Sequence, residues 1–269
     1  SISGYDASGS NYEITDDAAA VIGAGSSVID NVGVTRVEVT DDADATEGVS
    51  LNAYNGNVDF NVEDTASNIA TNATNLTKAD DVDAVSGTVT VAQAEAVQGL
   101  TGYDAGESYY SIDDNSANVI AAKDRVLTNG NINVDVTNTV NASDGAILAG
   151  FTADIDFDVS DTAANIAAQV ASGVASGSGP DSLDEADSVF VESGDAVTAA
   201  QAESVQDLIN YSGGDIDITD SAANLISAGD HVLNVDGVDV VTVNDGATSA
   251  GDGAILAGFT ADVEFDVVD

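Results

Sequence analysis

Carboxylates dominate the chemistry this chain can offer. Asp41, Asp42, Asp44 and Glu47 crowd one stretch; Asp80, Asp81 and Asp83 crowd a second; Asp181, Asp184, Glu185 and Asp187 crowd a third. Alternating segments add outward acids at Glu38, Asp59, Asp83, Asp135, Asp156, Asp158, Asp217, Glu264 and Asp266. Neighbouring strands lie about 4.8 Å apart, so acids in register repel one another unless cations sit between them. Oxygen-rich sites of that kind suit Ca2+. The candidate metal-ligating set is Asp41, Asp42, Asp44, Asp156, Asp158, Asp215 and Asp217, with Ca2+ as the expected cofactor. The alternative is a solvated acidic face suited to a salty habitat, and the sequence leaves both open. No stretch matches an EF-hand loop, and Gly213-Gly-Asp-Ile-Asp-Ile is only a fragment of a calcium-binding nonapeptide repeat.

Other chemistries find little support. The single histidine, His231, would have to serve any Ser-His-Asp triad or imidazole metal site. It stands in Gly229-Asp-His-Val, where a matching segment reads Lys123-Asp-Arg-Val, so a cationic surface position explains it better. Paired carboxylates are so numerous that a glycosidase-like pair carries no information. There is no phosphate loop of the Gly-x-x-x-x-Gly-Lys type and no Gly-x-Gly-x-x-Gly after a strand. Without cysteine there are no disulfides and no thiolate metal sites. We therefore expect no enzyme. Forty-eight acidic residues against four basic ones (Arg36, Lys78, Lys123, Arg125) give a net charge of −44, which argues against nucleic acid or an anionic membrane as partner. No apolar run approaches the ~20 residues that span a bilayer.

The elements that position these acids are repeated. The phrase Ile14-Thr-Asp-Asp-Ala returns as Val62-Glu-Asp-Thr-Ala, Ile112-Asp-Asp-Asn-Ser, Val159-Ser-Asp-Thr-Ala, Ile218-Thr-Asp-Ser-Ala and a final Val267-Val-Asp, at intervals of 48, 50, 47, 59 and 49 residues. A fixed period of this size means one structural unit stacked on its neighbours. Strands alternate, with Ile155, Phe157 and Val159 on one face and Asp156 and Asp158 on the other. A helix follows each phrase, with Ala163, Ile166, Ala167 and Val170 forming one apolar stripe. The aspartate of the phrase is the expected helix N-cap: Asp16, Asp64, Asp114, Asp161 and Asp220.

Two unit types alternate over about a hundred residues. Thr90–Leu100 matches Thr198–Leu208, and Asp144–Asp154 recurs without change at Asp252–Asp262. Eleven candidate strands lie near residues 13, 38, 60, 83, 111, 134, 157, 190, 217, 241 and 265. Strand, helix and strand in one direction give a parallel sheet. The expected fold is therefore an α/β repeat solenoid like a leucine-rich repeat, with one parallel sheet of about eleven strands. It forms one continuous array over 1–269, with units starting near 12, 60, 110, 157 and 216 and a partial unit at 265–269. Ser172 to Pro180 reads as a longer loop inside one turn. A row of small globular α/β domains is the runner-up.

Tyr5, Tyr103 and Tyr211 recur at one place and read as turn-packing residues. Phe190 points outward if Val189 and Val191 point inward, which makes it a candidate contact point. Asn72, Asn75 and Asn141 head sequons of a kind chance explains in so Ser-, Thr- and Asn-rich a chain. The absence of methionine and the severed repeats suggest a processed or excised slice of a longer array.

Asp161-Thr-Ala-Ala-Asn-Ile-Ala after a strand, with Val197-Thr-Ala-Ala-Gln-Ala after the next, resembles the repeats of very long bacterial surface or secreted proteins, adhesin-like and found in proteobacteria and cyanobacteria. The resemblance covers nearly the whole chain but rests on helix-start and core positions, so no functional residue transfers. It implies an extracellular, cell-surface structural or adhesive protein: a stiff acidic rod in a surface layer, filament or long adhesin. Calcium dependence in some such proteins agrees with Ca2+ as a stabilising cofactor. The expected partners are copies of itself or neighbouring repeats end to end, with surface glycans or proteins as further candidates. A glycan- or protein-binding module using the exposed sheet face, and a phage fibre, are the alternatives.

Overall fold

The computed structural model describes residues 9–176 and 183–268, and gives an α/β protein of repeated strand–helix turns. The chain forms two compact units, residues 1–135 with 152–154, and 136–151 with 155–269. Within each, short parallel strands pair in sequence order, and strand segments, some broken in two, alternate with helices of mostly seven or eight residues.

Turns come in four kinds over the hundred-residue period. Strands Asn61–Asp64 and Asp158–Thr162 are of the first kind, Asp81–Ala84 and Ser188–Glu192 of the second. Tyr12–Asp16, Tyr109–Asp114 and Ile216–Asp220 are of the third, Val34–Val39, Asn131–Val136 and Val238–Val243 of the fourth. Pairing runs from first to second (Val62 to Val82, Val159 to Val189) and from third to fourth (Ile14 to Val37, Ile218 to Val241).

The expected alternation is present. Ile155, Phe157 and Val159 are buried and Asp156 and Asp158 exposed; Val58, Phe60 and Val62 repeat this. The helix stripe Ala163, Ile166, Ala167 and Val170 is buried too. The strands form several small parallel sheets instead of one long one. First-kind segments are broken at a phenylalanine: Val58–Asp59 stops before Phe60, and Asn61–Asp64 resumes after it. The part before the break pairs with the preceding strand and the part after it with the following one. Ile155–Asp156 and Asp158–Thr162 break in the same way at Phe157, whose buried ring turns into the core.

The helices pack close because their inner residues are small. Helix Ala142–Leu148 buries Ala142, Gly145 and Leu148 at i, i+3 and i+6. A Cβ on Gly145 would stand 2.8 Å from Val159 Cγ2, so no larger residue fits between this helix and its strand. The expected loop from Ser172 begins as helix: Ala163–Ser176 runs 14 residues, carried by an alanine-rich sequence, and residues 177–182 lie outside the described ones.

Candidate functional site: aspartate ties and the acidic strand face

The aspartates of the repeated phrase are not the helix caps. The N-cap is the next residue in each turn. Asp17 accepts the Ala20 N–H, Thr65 the Asn68 N–H, Asn115 the Asn118 N–H and Ser221 the Asn224 N–H. Thr162 Oγ1 stands in the same relation to the Asn165 N–H at 3.4 Å. Asp16, Asp64, Asp114, Asp161 and Asp220 sit one residue too early to aim at the third helical amide, and each binds instead the amide that follows it.

Their second oxygen does something the sequence does not announce. Asp64 Oδ2 accepts the Ala45 N–H at 3.0 Å, and Asp114, Asp161 and Asp220 accept the Val91, Ala142 and Ala199 N–H at 3.0, 3.0 and 3.1 Å. Each acceptor lies one turn after the helix it meets, 19 to 23 residues on, and each donor is the first residue of that helix. The first amides of a helix have no partner inside it, so the carboxylate completes the helix of the turn before. The first oxygen also takes the side-chain amide of Asn68, Asn118, Asn165 or Asn224, which explains Asp-x-x-x-Asn in the phrase. Asp41 and Asp245 make the same tie to Ala18 and Ala222, at 2.7 and 3.3 Å.

Burial pushes the carboxyls of Asp64, Asp114 and Asp220 up, but the hydrogen bonds converging on each outweigh it and hold all three below the usual carboxylate range. A second family of ties runs from Asp30, Asp124 and Asp230 to a later loop: Asp30 Oδ1 accepts the Asn55 N–H at 2.8 Å, and Asp124 and Asp230 accept the Thr152 and Thr260 N–H at 2.9 Å.

The candidate metal ligands do not come together. Asp41 is a tie, and Asp44 is the N-cap of Ala45–Asn52 in a capping box with Glu47. Asp158 accepts the Ser188 hydroxyl at 2.7 Å. Asp42, Asp156 and Asp215 are exposed, and Asp217 is half-buried opposite Val240. Among the described residues no three His, Cys, Asp or Glu side chains form a group that could hold a metal ion.

The strand face also carries less repulsion than its composition suggests, because register sets most acids opposite something else. Thr15 faces Glu38, Asp158 faces Ser188, Thr162 faces Glu192 and Thr242 faces Glu264. Glu38 does face Asp59, and there Arg36 hydrogen-bonds Asp59 and reaches Glu38 at 3.2 Å. Glu63 stands opposite Asp83 with no such relief. One Asp83 oxygen is buried without a hydrogen-bond partner, and burial, together with Asp81, Glu107, Asp104 and Glu63, pushes its carboxyl up to about 6. The matching pair in unit two is Ser160 and Phe190; Phe190 is exposed between buried Val189 and Val191, as its alternation predicts.

His231 lies 3.6 Å from Glu203, and Arg125 lies 2.6 Å from Glu95 at the matching place. Each pair joins a helix to the second helix after it, Val91–Gln98 to Asp124–Leu127 and Ala199–Gln206 to Asp230–Leu233. Tyr103 donates to the Asn129 carbonyl at 2.8 Å, as a turn-packing residue would; the Tyr211 hydroxyl is buried without a partner, and Tyr5 lies outside the described residues. Among the described residues no helix is long and apolar enough to cross a membrane. Comparison with protein-family models, with curated proteins and with solved structures found no match.

Proposed function

We propose that this chain is a non-enzymatic, extracellular structural or adhesive repeat protein whose strand–helix turns stack as a solenoid. The observation that carries the reading is the set of turn-to-turn ties: its most regular polar residues, Asp64, Asp114, Asp161 and Asp220, each bind the helix of the preceding turn. Residues engaged in that way serve length and cohesion, not turnover. The acids between them remain exposed and are accommodated by diffuse counterions, since the Asp41, Asp42 and Asp44 cluster is divided between a tie, a cap and solvent. Neighbouring repeats, end to end, are the partners this reading expects.

Immunogold labelling of intact source cells with antibodies to the folded chain tests it. Label on the cell surface or on surface filaments agrees with the proposal; label confined to the cytoplasm, or to phage particles, contradicts it. Exposed Phe190 favours the second reading, a glycan- or protein-binding module using the strand face. Saturable binding on a glycan array that Phe190→Ser abolishes would establish that module in place of a purely structural role.

A further inference from the structure

The chain holds two Asn-Gly steps, Asn55-Gly56 and Asn129-Gly130. Asparagine is a labile side chain, and before glycine its carbonyl carbon is open to attack by the next backbone nitrogen, since no Cβ obstructs the approach. The reaction requires that nitrogen to shed its proton, and the fold treats the two nitrogens oppositely. At Asn55-Gly56, Asp30 Oδ1 accepts the Gly56 N–H at 3.1 Å. The same carboxylate takes the Asn55 N–H at 2.8 Å and the Asn55 side-chain amide at 3.4 Å. An anionic acceptor makes a strong hydrogen bond and opposes loss of the shared proton. The tie from Asp30 thus guards this step.

At Asn129-Gly130 no described residue accepts the Gly130 N–H or bonds the Asn129 side chain. Tyr103 Oη instead donates to the Asn129 carbonyl oxygen at 2.8 Å. That oxygen carries the negative charge once the Gly130 nitrogen is deprotonated, so a hydroxyl already aimed at it favours the reactive anion. Both residues are half-buried, within reach of water. Tyr103 Oη also lies 2.9 Å from where a Gly130 Cβ would stand, so the position admits glycine alone. The matching place in unit two reads Asp236-Gly237. Its glycine again lies under a tyrosine, with Tyr211 Oη 2.8 Å from a Gly237 Cβ, but that hydroxyl has no partner.

We propose that Asn129 is a self-modification site, which loses its side-chain amide with Tyr103 as activator, while Asp30 keeps Asn55 intact. The inference does not depend on the array reading. The Gly130 nitrogen bonds to Asn129 Cγ, the Cγ–Nδ2 bond breaks, and the proton lost by the nitrogen departs, by way of water, with the leaving ammonia. The product is a cyclic imide. Water then opens the ring at either carbonyl carbon. Opening at Cγ gives aspartate and copies the Asp236-Gly237 that unit two already accommodates. Opening at the main-chain carbon gives isoaspartate, with one more methylene in the backbone. That insertion falls just before Asn131, whose N–H donates to Ser108 O at 3.2 Å where strand Asn131–Val136 begins. Either product adds a negative charge to a chain of net charge −44. No enzyme takes part, so the modified fraction records the age of the molecule.

Peptide mapping by mass spectrometry tests this, on the full chain aged in buffer at neutral pH, with the urea-denatured chain as reference. Denatured, the two asparagines should convert at similar rates. Folded, Asn129 should convert about tenfold or more faster than Asn55, the factor expected of a hydrogen bond to a charged group. Two shape-conserving variants separate the causes. Asp30→Asn, which keeps an acceptor but removes the charge, should raise the Asn55 rate roughly threefold or more, and Tyr103→Phe should lower the Asn129 rate by a similar factor. Asn129 converting no faster than Asn55 in the folded chain overturns the proposal. An Asn55 rate unchanged in Asp30→Asn overturns the guard, and an Asn129 rate in Tyr103→Phe at or above the parent's overturns the activation.

Discussion

Asp64 and Ala45 are 19 residues apart, and the carboxylate of one accepts the backbone N–H of the other at 3.0 Å. The bond joins the end of a strand to the first residue of the preceding helix, and it recurs at Asp114, Asp161 and Asp220. A charged acceptor at a helix N-terminus makes a strong hydrogen bond and answers the helix dipole as well. Removing it leaves several donors without an acceptor. Asp64→Ala is expected to cost about 2 kcal/mol or more, since bonds to charged groups contribute ~1.5–3 kcal/mol each. Chemical denaturation of the variant checks this; a midpoint equal to that of the parent chain would contradict it.

The ties also give a pH dependence. Asp64, Asp114 and Asp220 have depressed values in the folded chain, so their contribution is complete above the unfolded carboxylate value of about 3.9 and is lost as pH falls through the folded values. Thermal melting below about pH 4 should show a steep loss of stability. The triple Asp→Asn variant should lose much less over the same range.

Asp83 works in the opposite direction. Its carboxyl is raised to about 6, so the folded state favours the protonated form. That favourable contribution is complete below about pH 3.9 and is lost as pH rises through 6. The melting temperature should rise as pH is lowered from 7.5 to 5. Asp83→Asn should stabilise the chain at pH 7.5, by on the order of 1 kcal/mol after allowance for the group's exposure, and flatten that rise. A variant less stable than the parent at pH 7.5 would show that the ionised carboxylate is needed.

Positions that repeat can be compared with one another. Gly25, Lys123 and Gly229 each join a helix to the short helix after it, with φ of 72°, 58° and 68°. Lys123 is the one non-glycine with positive φ among the described residues. Lys123→Gly should stabilise the chain by up to ~1 kcal/mol, because a side chain is strained there. Unfolding in urea measures it, and a destabilised variant would contradict the account.

Salt should stabilise the chain through screening alone. With a net charge of −44, the melting temperature should climb between 0.05 and 1 M NaCl (concentrations about which the Debye length falls from ~14 to ~3 Å). Millimolar Ca2+ should add no saturable increment beyond its ionic strength. A steep, chelator-reversible rise would restore a dedicated calcium site.

Much of the fold could be read from periodicity. Ile155, Phe157 and Val159 alternate with acids, and Ala163, Ile166, Ala167 and Val170 recur at helical spacing, so burial follows directly. The breaks in the strands were hidden because Phe60 and Phe157 fit the alternation while ending the ladder. The caps were misplaced by one residue because Asp64-Thr65 offers two good cap formers in a row, and only the geometry at Asn68 chooses Thr65. The ties were illegible for a deeper reason. The partner of Asp64 is Ala45, a residue with no distinguishing side chain, reached through its backbone 19 positions away. Asp41 shows the same limit, since a tie and a metal ligand are both simply aspartates until the fold places the Ala18 amide against one.

The most direct test is amide exchange at Val91 in Asp114→Ala. Val91 is the first residue of its helix, where an amide ordinarily exchanges freely, and Asp114 Oδ2 accepts its N–H at 3.0 Å. The account predicts a protected Val91 amide in the parent chain and fast exchange in the variant. A Val91 amide unaffected by the substitution, with fast exchange appearing only at Asn118 in Asp114's own turn, would make Asp114 an ordinary cap and contradict the tie.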